Sequence, residues 1–338
     1  MMEIESVVES KSEQLLLKAL HFGASDLHLV PTKEKFLIHF RKYGKLFPAG
    51  DLPFEIGDRM ISFFKFLSSL DIGEKRKPQS GSFHKEFLQK IYAFRVSTLP
   101  SVFQRESLVI RLMLQNSSYP ISSLCYHPKK AEKLLNLVHS RQGLLLFCGA
   151  TGSGKTTSLY SLVNYCSETL ARHVISLEDP VESSQSHLLQ IQVNERAGIT
   201  YAAGLRAILR HSPDVIMIGE IRDRETANIA IEAALTGHLV LSTIHAKDSV
   251  NCLYRLMDLG ISIEEIRQAL IGIAAQCLIE VGQSEERKAI YEILSDLYLY
   301  EALATAMGGQ EYKLPLQETL QFQVQAVGVN KSHVSTTS

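Results

Sequence analysis

The chain has 338 residues, 45% apolar and 21% charged, with a formal net charge of −1. That length allows two packed domains of ordinary globular composition, and the near-neutral charge excludes the broad basic field that non-specific nucleic-acid binding requires. No run approaches the ~18 uninterrupted apolar residues of a membrane span. The acidic, polar start MMEIESVVESKSEQ lacks the order of a signal peptide, so the chain is expected in the cytoplasm.

Residues 7–22 predict a helix, with Leu16, Leu17 and Leu20 on one face and Gly23 ending it. Strands are predicted over 27–30 and 36–40, split by Pro31, and Ile56, Met60, Phe63, Phe64, Leu67 and Leu70 recur at helical spacing. A basic loop over 75–81 precedes strand-like stretches at 91–99 and 107–114. This mixture predicts an α+β domain over residues 1–115. Residues 116–128, polar and containing Pro120 and Pro128, read as an interdomain linker. Beyond it short apolar strands alternate with helices, at 144–148, 155–166, 174–177, 201–211, 215–218, 226–235 and 239–244. The alternation predicts an α/β domain over 129–300, with helices on both faces of its sheet. Residues 263–279 form the most apolar helix-like stretch, interrupted by Glu264, Glu265, Arg267 and Gln268. A C-terminal extension over 301–338 is expected to be partly disordered, from Asn330 onward. The five cysteines, Cys125, Cys148, Cys166, Cys252 and Cys277, form no C-x-x-C pair, so neither a disulfide framework nor a zinc site is expected.

The apolar run ending at Cys148 leads into Gly149-Ala150-Thr151-Gly152-Ser153-Gly154-Lys155-Thr156 and then a helical pattern. This is G-x-x-x-x-G-K-[ST] in the strand–loop–helix setting of a phosphate-binding loop. Glycines let successive backbone N–H groups curl toward an anion, and the following helix presents its positive end to it. Lys155 supplies a point charge for the β- and γ-phosphates of ATP, and the Thr156 hydroxyl is a hard ligand for Mg²⁺. With the adjoining Thr157, these residues make the candidate nucleotide site. Hydrolysis also needs a carboxylate to position water. The strand at 174–177 leads into Glu178-Asp179-Pro180, and that at 215–218 into Gly219-Glu220. Gly219 stands where a Mg²⁺-binding Asp is usual, which gives the metal and water duties to Glu220, with Glu178 in support. His238 and His245 flank the next strand and are candidate sensors of the γ-phosphate or of a neighbouring subunit.

The phosphate loop, Glu178-Asp179-Pro180-Val181-Glu182, DVIMIGEIRD over 214–223 and GHLVLSTIH over 237–245 together resemble the secretion ATPases, which drive type II secretion, type IV pili and competence pseudopili. The similarity spans about 24–294. The resemblance implies a RecA-like ATPase domain preceded by a smaller PAS-like domain, and a homohexamer with ATP held between the two. It also implies arginines that close on the phosphates, at Arg95, Arg111, Arg206 and Arg210, the last two four apart on one helix. Asp26 and His28 invite a metal reading, but the family carries none there. Three features depart from the family pattern: Arg105-Glu106 replaces Gly-Glu, Gln276-Cys277-Leu278 replaces Gln-Arg-Leu, and the four-cysteine zinc insert is missing. The compact length, and a stretch like Arg287-Lys288-Ala289-Ile290-Tyr291-Glu292-Ile293-Leu294, resemble the Gram-positive competence ATPases. The job so implied is assembly of the DNA-uptake pseudopilus from the inner face of the membrane, through a polytopic membrane platform protein and without direct nucleic-acid binding. Rival readings are a retraction or type II secretion ATPase, a DNA-translocating P-loop ATPase and a non-hydrolysing nucleotide-bound scaffold.

Overall fold

The computed structural model describes residues 2–114, 119–185, 187–281 and 287–327. The chain divides between residues 117 and 118 into two compact units.

The first unit contains α1 (Met2–Phe22), β1 (Asp26–Pro31), β2 (Phe36–Lys42), β3 (Lys45–Leu52), α2 (Phe54–Leu67), β4 (Gln79–Phe87), β5 (Lys90–Pro100) and β6 (Glu106–Leu114). The strands form one antiparallel sheet in the order β3-β2-β1-β6-β5-β4. Alternation along the strands decides its faces. Leu27, Leu29, Phe36, Ile38, Leu108 and Ile110 are buried in one core with Leu16, Ala19, Met60 and Phe64 of the two helices. The intervening residues Arg95, Arg111, Asp26 and Arg41 lie in register across β5, β6, β1 and β2 on the other face. Two strands escape the sequence pattern. The outermost β3, exposed along almost its whole length, carries Pro48 and Gly50, and its register with β2 shifts between Ile38 and His39. β4 begins inside the stretch read as a basic loop, at Gln79.

One buried ion pair ties this unit together. Lys65 of α2 is 1% exposed and donates to Glu106 Oε1 and Oε2 at 2.9 and 3.0 Å and to the Glu74 carbonyl at 2.7 Å. It thereby joins the helix, the loop before β4 and the start of β6.

The second unit contains α3 (Ile121–Leu124), α4 (Pro128–Val138), β7 (Gly143–Cys148), α5 (Lys155–Asn164), β8 (Val174–Glu178), β9 (Leu189–Gln192), α6 (Tyr201–Ile208), β10 (Val215–Ile218), α7 (Arg224–Leu235), β11 (Leu239–Thr243), α8 (Ser249–Asp258), α9 (Ile263–Ala269), β12 (Leu270–Glu280), β13 (Arg287–Ser295), α10 (Asp296–Met307) and α11 (Leu320–Ala326). Its seven strands run β13-β12-β7-β11-β10-β8-β9, parallel from β9 to β12, with β13 antiparallel at the edge. Every residue of β7, β8, β10 and β11 is buried, as a sheet covered on both faces demands. Alternate side chains feed two cores: Leu144, Leu146 and Ile216 on one face, Leu145, Phe147 and Met217 on the other.

The apolar stretch at 263–279 is not one helix. α9 ends at Ala269 and the chain passes directly into β12. The helical pattern at 201–211 also divides: α6 stops at Ile208 and Leu209–His211 form a 3₁₀ turn. Residues 301–327 belong to the second unit, with α10 running to Met307 and α11 packed on β12 and β13. The stretch expected to be disordered, 330–338, lies outside the described residues, as do 116–118 of the linker. Among the described residues no helix is long and apolar enough to cross a membrane.

Removing one member of a buried ion pair leaves the other charge without compensation, at a cost of about 3–5 kcal/mol. Lys65→Ala is therefore expected to lower the urea midpoint of the first unit sharply. Lys65→Met with Glu106→Leu should recover most of the loss. A double variant no more stable than the single one would show that the pair's charges are not the issue.

Candidate functional site

The carboxyl ends of the parallel strands share one edge of the sheet, where ligands of open α/β sheets bind. β7 delivers the chain to that edge, and the phosphate loop follows. Gly149, Gly152 and Gly154 have φ of 138°, 80° and 84°, conformations that side chains strain to adopt. At Gly149 space forbids a side chain as well, since a Cβ would sit 2.4 Å from the carbonyl oxygen of Gln276 on β12. Gln276 also donates from Nε2 to the Ser153 carbonyl at 2.7 Å, bracing the loop from the neighbouring strand. This residue was missed as functional in the sequence; its place in the Gln-Cys-Leu stretch was the available signal.

Lys155 begins α5 and lays its ammonium across the loop, donating to the carbonyls of Gly149 and Ala150 at 2.8 and 2.9 Å. Burial lowers its pKa, opposed by the negative charges of Glu220 and Glu182 among others. Ser153 Oγ is buried in the loop with no hydrogen-bond partner in the chain. Inward-curled glycines, an overlying lysine, an orphan hydroxyl and the amino end of a ten-residue helix fit a nucleotide's phosphates. Thr156 stands half-buried at the second position of α5, and Thr151 and Thr157 are exposed. The Thr156 hydroxyl and the Glu220 carboxylate are the hard oxygen donors suited to Mg²⁺.

The two strand-end acids differ. Glu220 lies beyond the end of β10 and is held by two partners: Arg222 Nε donates to its Oε2 at 2.7 Å, and His245 Nε2 lies 2.8 Å from its Oε1. Arg222 Nη1 also approaches Asp179 Oδ2 at 3.7 Å. The ion pair with Glu220 raises the Arg222 pKa. Glu178 is the last residue of β8, 2% exposed, and faces inward. Its Oε1 accepts from Ser176 Oγ at 2.6 Å and Gln190 Nε2 at 3.1 Å, and its Oε2 from the Tyr160 hydroxyl. Burial, aided by that carboxylate, pushes the Tyr160 pKa far up. Glu178 therefore braces β9 and α5, with its carboxylate engaged by Ser176, Gln190 and Tyr160.

Gly219 is explained by the same packing. A Cβ there would meet the Tyr201 hydroxyl at 3.1 Å and the Glu178 backbone at 3.4 Å, which leaves little room for an aspartate. Burial and the neighbouring Asp179 push the Tyr201 pKa up to about 12, so its hydroxyl stays protonated near neutrality.

The two histidines separate. His245 follows β11 at the carboxyl end of that strand, where it meets Glu220. His238 precedes β11 and bonds through Nδ1 to the Ala233 carbonyl at 3.0 Å, at the opposite edge of the sheet. Seven residues of extended chain put them roughly 20 Å apart, so His238 is not brought to the phosphates of its own chain. Arg206 is exposed on α6 and paired with Glu225 at 3.0 Å, while Arg210 lies in the 3₁₀ turn, so the two do not share one regular helix. In the first unit Arg95 and Arg111 sit side by side, and Arg111 Nε donates to buried Asp26 at 2.9 Å.

A family model described as "Type II/IV secretion system protein" matches residues 2–336. The chain belongs to that family. The Bacillus subtilis "Competence protein ComGA" is 44% identical over 317 residues, covering 89% of each chain. The Acinetobacter baylyi "Type IV pilus assembly ATPase PilB" is 39% identical over 276 residues, covering 81% of this chain and 47% of that one. Among solved structures, the pilus retraction motor PilT with bound ADP superposes with a TM-score of 0.69 at 26% identity, covering 93% of this chain and 96% of that one. The Legionella pneumophila ATPase DotB gives 0.72 at 22% identity, covering 96% and 88%, a likeness of fold. Membership and the intact phosphate loop make this type II/IV secretion protein an ATPase.

In this secretion ATPase the loop's shape rests on Gly149. Gly149→Ala is expected to reduce affinity for a non-hydrolysable ATP analogue at least ~10-fold, because strained φ and a clash with Gln276 act together. Isothermal titration tests it; affinity matching the parent would mean the loop does not depend on that approach.

Proposed function

We propose that this chain is a ring-forming motor, a homohexamer, that hydrolyses ATP to power assembly of a competence pseudopilus. The observation that carries the reading is the phosphate loop at the carboxyl edge of the parallel sheet, with the Lys155 ammonium laid across it, in a chain matching a competence protein over nearly the whole length of both.

Backbone amides of 149–156 and the Lys155 ammonium hold the β- and γ-phosphates. Thr156 and Glu220 would hold Mg²⁺, which when bound would supply positive charge to offset that of the phosphates. Glu220 orients the attacking water and takes its proton. To do so it exchanges its partnership with Arg222 or His245, and Arg222 has Asp179 beside it as the alternative partner. His245 senses the state of Glu220 through the same contact. Glu178 holds α5, and so the loop, against β8. Arg95 and Arg111 of the first, PAS-like unit and Arg206 and Arg210 of the RecA-like unit close on the phosphates of this or a neighbouring copy. Arginines placed in this way contribute up to roughly 10³–10⁵ in rate. Closure and reopening around the ring would drive a polytopic platform protein, which holds the motor at the inner face of the membrane; no nucleic acid is contacted directly.

Lys155→Ala is expected to abolish phosphate release by the purified protein, and Glu220→Gln to reduce it at least ~100-fold with nucleotide still bound. Normal turnover in the first variant would overturn the scheme. Deleting the gene should remove filaments; surplus filaments would make the chain a retraction motor.

A further inference from the structure

Glu292 takes no part in the site described above, yet it is 3% exposed in the middle of β13, a costly place for a carboxylate. Its charge is met by neutral donors from two helices. Oε1 accepts from the backbone N–H and the hydroxyl of Ser249, at 2.9 and 2.6 Å, and Oε2 accepts from the Leu320 N–H at 2.9 Å. Ser249 opens α8 and Leu320 opens α11. A single side chain thus satisfies the otherwise unpaired first-turn amides of two helices.

Both connections lead somewhere. On one side, Ser249 closes the short segment that begins at His245, the residue bonded to Glu220. Within that segment the Asp248 carbonyl accepts from the Cys252 N–H at 3.0 Å and from the Cys148 thiol at 3.3 Å, and Cys148 is the last residue before Gly149. Residues 245–249 are therefore pinned to Glu220 at one end, to the root of the phosphate loop in the middle, and to Glu292 at the other end. On the other side, α11 lies on the same stretch of β13. Val324 packs on Ile290, Gln323 Nε2 donates to the Tyr291 carbonyl at 3.3 Å, and Glu318, just before α11, pairs with Lys130. Three consecutive residues of β13, from 290 to 292, engage the C-terminal helix.

We propose that Glu292 is a positioning residue for hydrolysis: it clamps the amino end of α8, so setting the segment that carries His245 to Glu220, and it makes that setting depend on the docking of α11. The inference rests on the assignment of Glu220 and His245 given above. A carboxylate is needed because three donors converge on it and nothing accepts. A glutamine can keep an oxygen toward Ser249, but its NH₂ then faces the Leu320 N–H, donor against donor.

The test compares Glu292→Gln, Ser249→Ala and Glu220→Gln in the full-length protein. Misplacing a catalytic segment without touching the nucleotide lowers kcat and spares KM, so Glu292→Gln should lose about 10- to 100-fold in kcat while KM for ATP and affinity for an ATP analogue stay within about two-fold. Amide exchange in the nucleotide-free protein should speed up at 245–252 and 320–327 and stay unchanged in α5. Parental kcat, or unchanged exchange at 245–252, would overturn the proposal. If Glu292→Gln fails to fold, Ser249→Ala removes one donor only: a fall in kcat at constant KM supports the clamp, and parental kcat overturns it. An active Glu220→Gln would instead overturn the catalytic assignment, and the exchange comparison then judges the clamp by itself.

Discussion

Between Gly149 and the carbonyl oxygen of Gln276 there is no room for even a methyl group. That approach of one backbone to another fixes where the chain leaves β7 and therefore where the phosphates must sit. β7 is buried on both faces between β11 and β12, so its end cannot shift sideways without breaking two ladders of hydrogen bonds. Gln276 then reaches back to the Ser153 carbonyl and holds the far side of the same loop. Lys155, Thr156 and the amino end of α5 inherit their positions from this packing. The binding loop is thus rigid because of β12, a strand that contributes no charge to it.

Much of this was legible in the sequence, for identifiable reasons. Strands buried on both faces read as plain apolar runs, so β7, β8, β10 and β11 announced themselves, and the glycine-lysine-threonine loop needed only that setting. β12 was hidden because no glycine or proline separates Ala269 from Leu270, and period alone cannot tell a buried strand from a buried helix. β3 was hidden by its own proline and glycine. The different settings of the two acids were hidden because sequence does not say where a strand stops. Glu178 is still inside β8, two residues from Ser176 on the same face, so its side chain stands perpendicular to the sheet and is trapped under α5. Glu220 is two residues past Ile218, beyond the ladder, and its carboxylate turns instead to Arg222 and His245. The histidines obey the same logic: one strand's length carries His238 to one edge of the sheet and His245 to the other.

The second unit repeats one device at two buried carboxylates. Glu178 and Glu292 are both almost fully enclosed, and the hydrogen bonds that hold them come from uncharged donors. Each joins elements that are distant in the chain: α5, β8 and β9 in one case, α8, β13 and α11 in the other. A hydrophobic residue would pack as well but would leave the donors unsatisfied, at roughly 1–3 kcal/mol each. These acids define geometry in the same sheet whose carboxyl edge carries the phosphate loop, while Glu220, beyond its strand, is held by charged and titratable partners instead.

The outermost strand of the first unit has a consequence of its own. A bare edge offers amide and carbonyl groups to any passing strand, which is how sheets fuse into aggregates. In β3 the ring of Pro48 deletes one donor, Gly50 takes a positive φ of 131° where the register with β2 shifts, and Lys45 and Asp51 add charge at either end. Such an edge refuses disordered association with another sheet, and this strand is built to stay the last one on its side of the sheet.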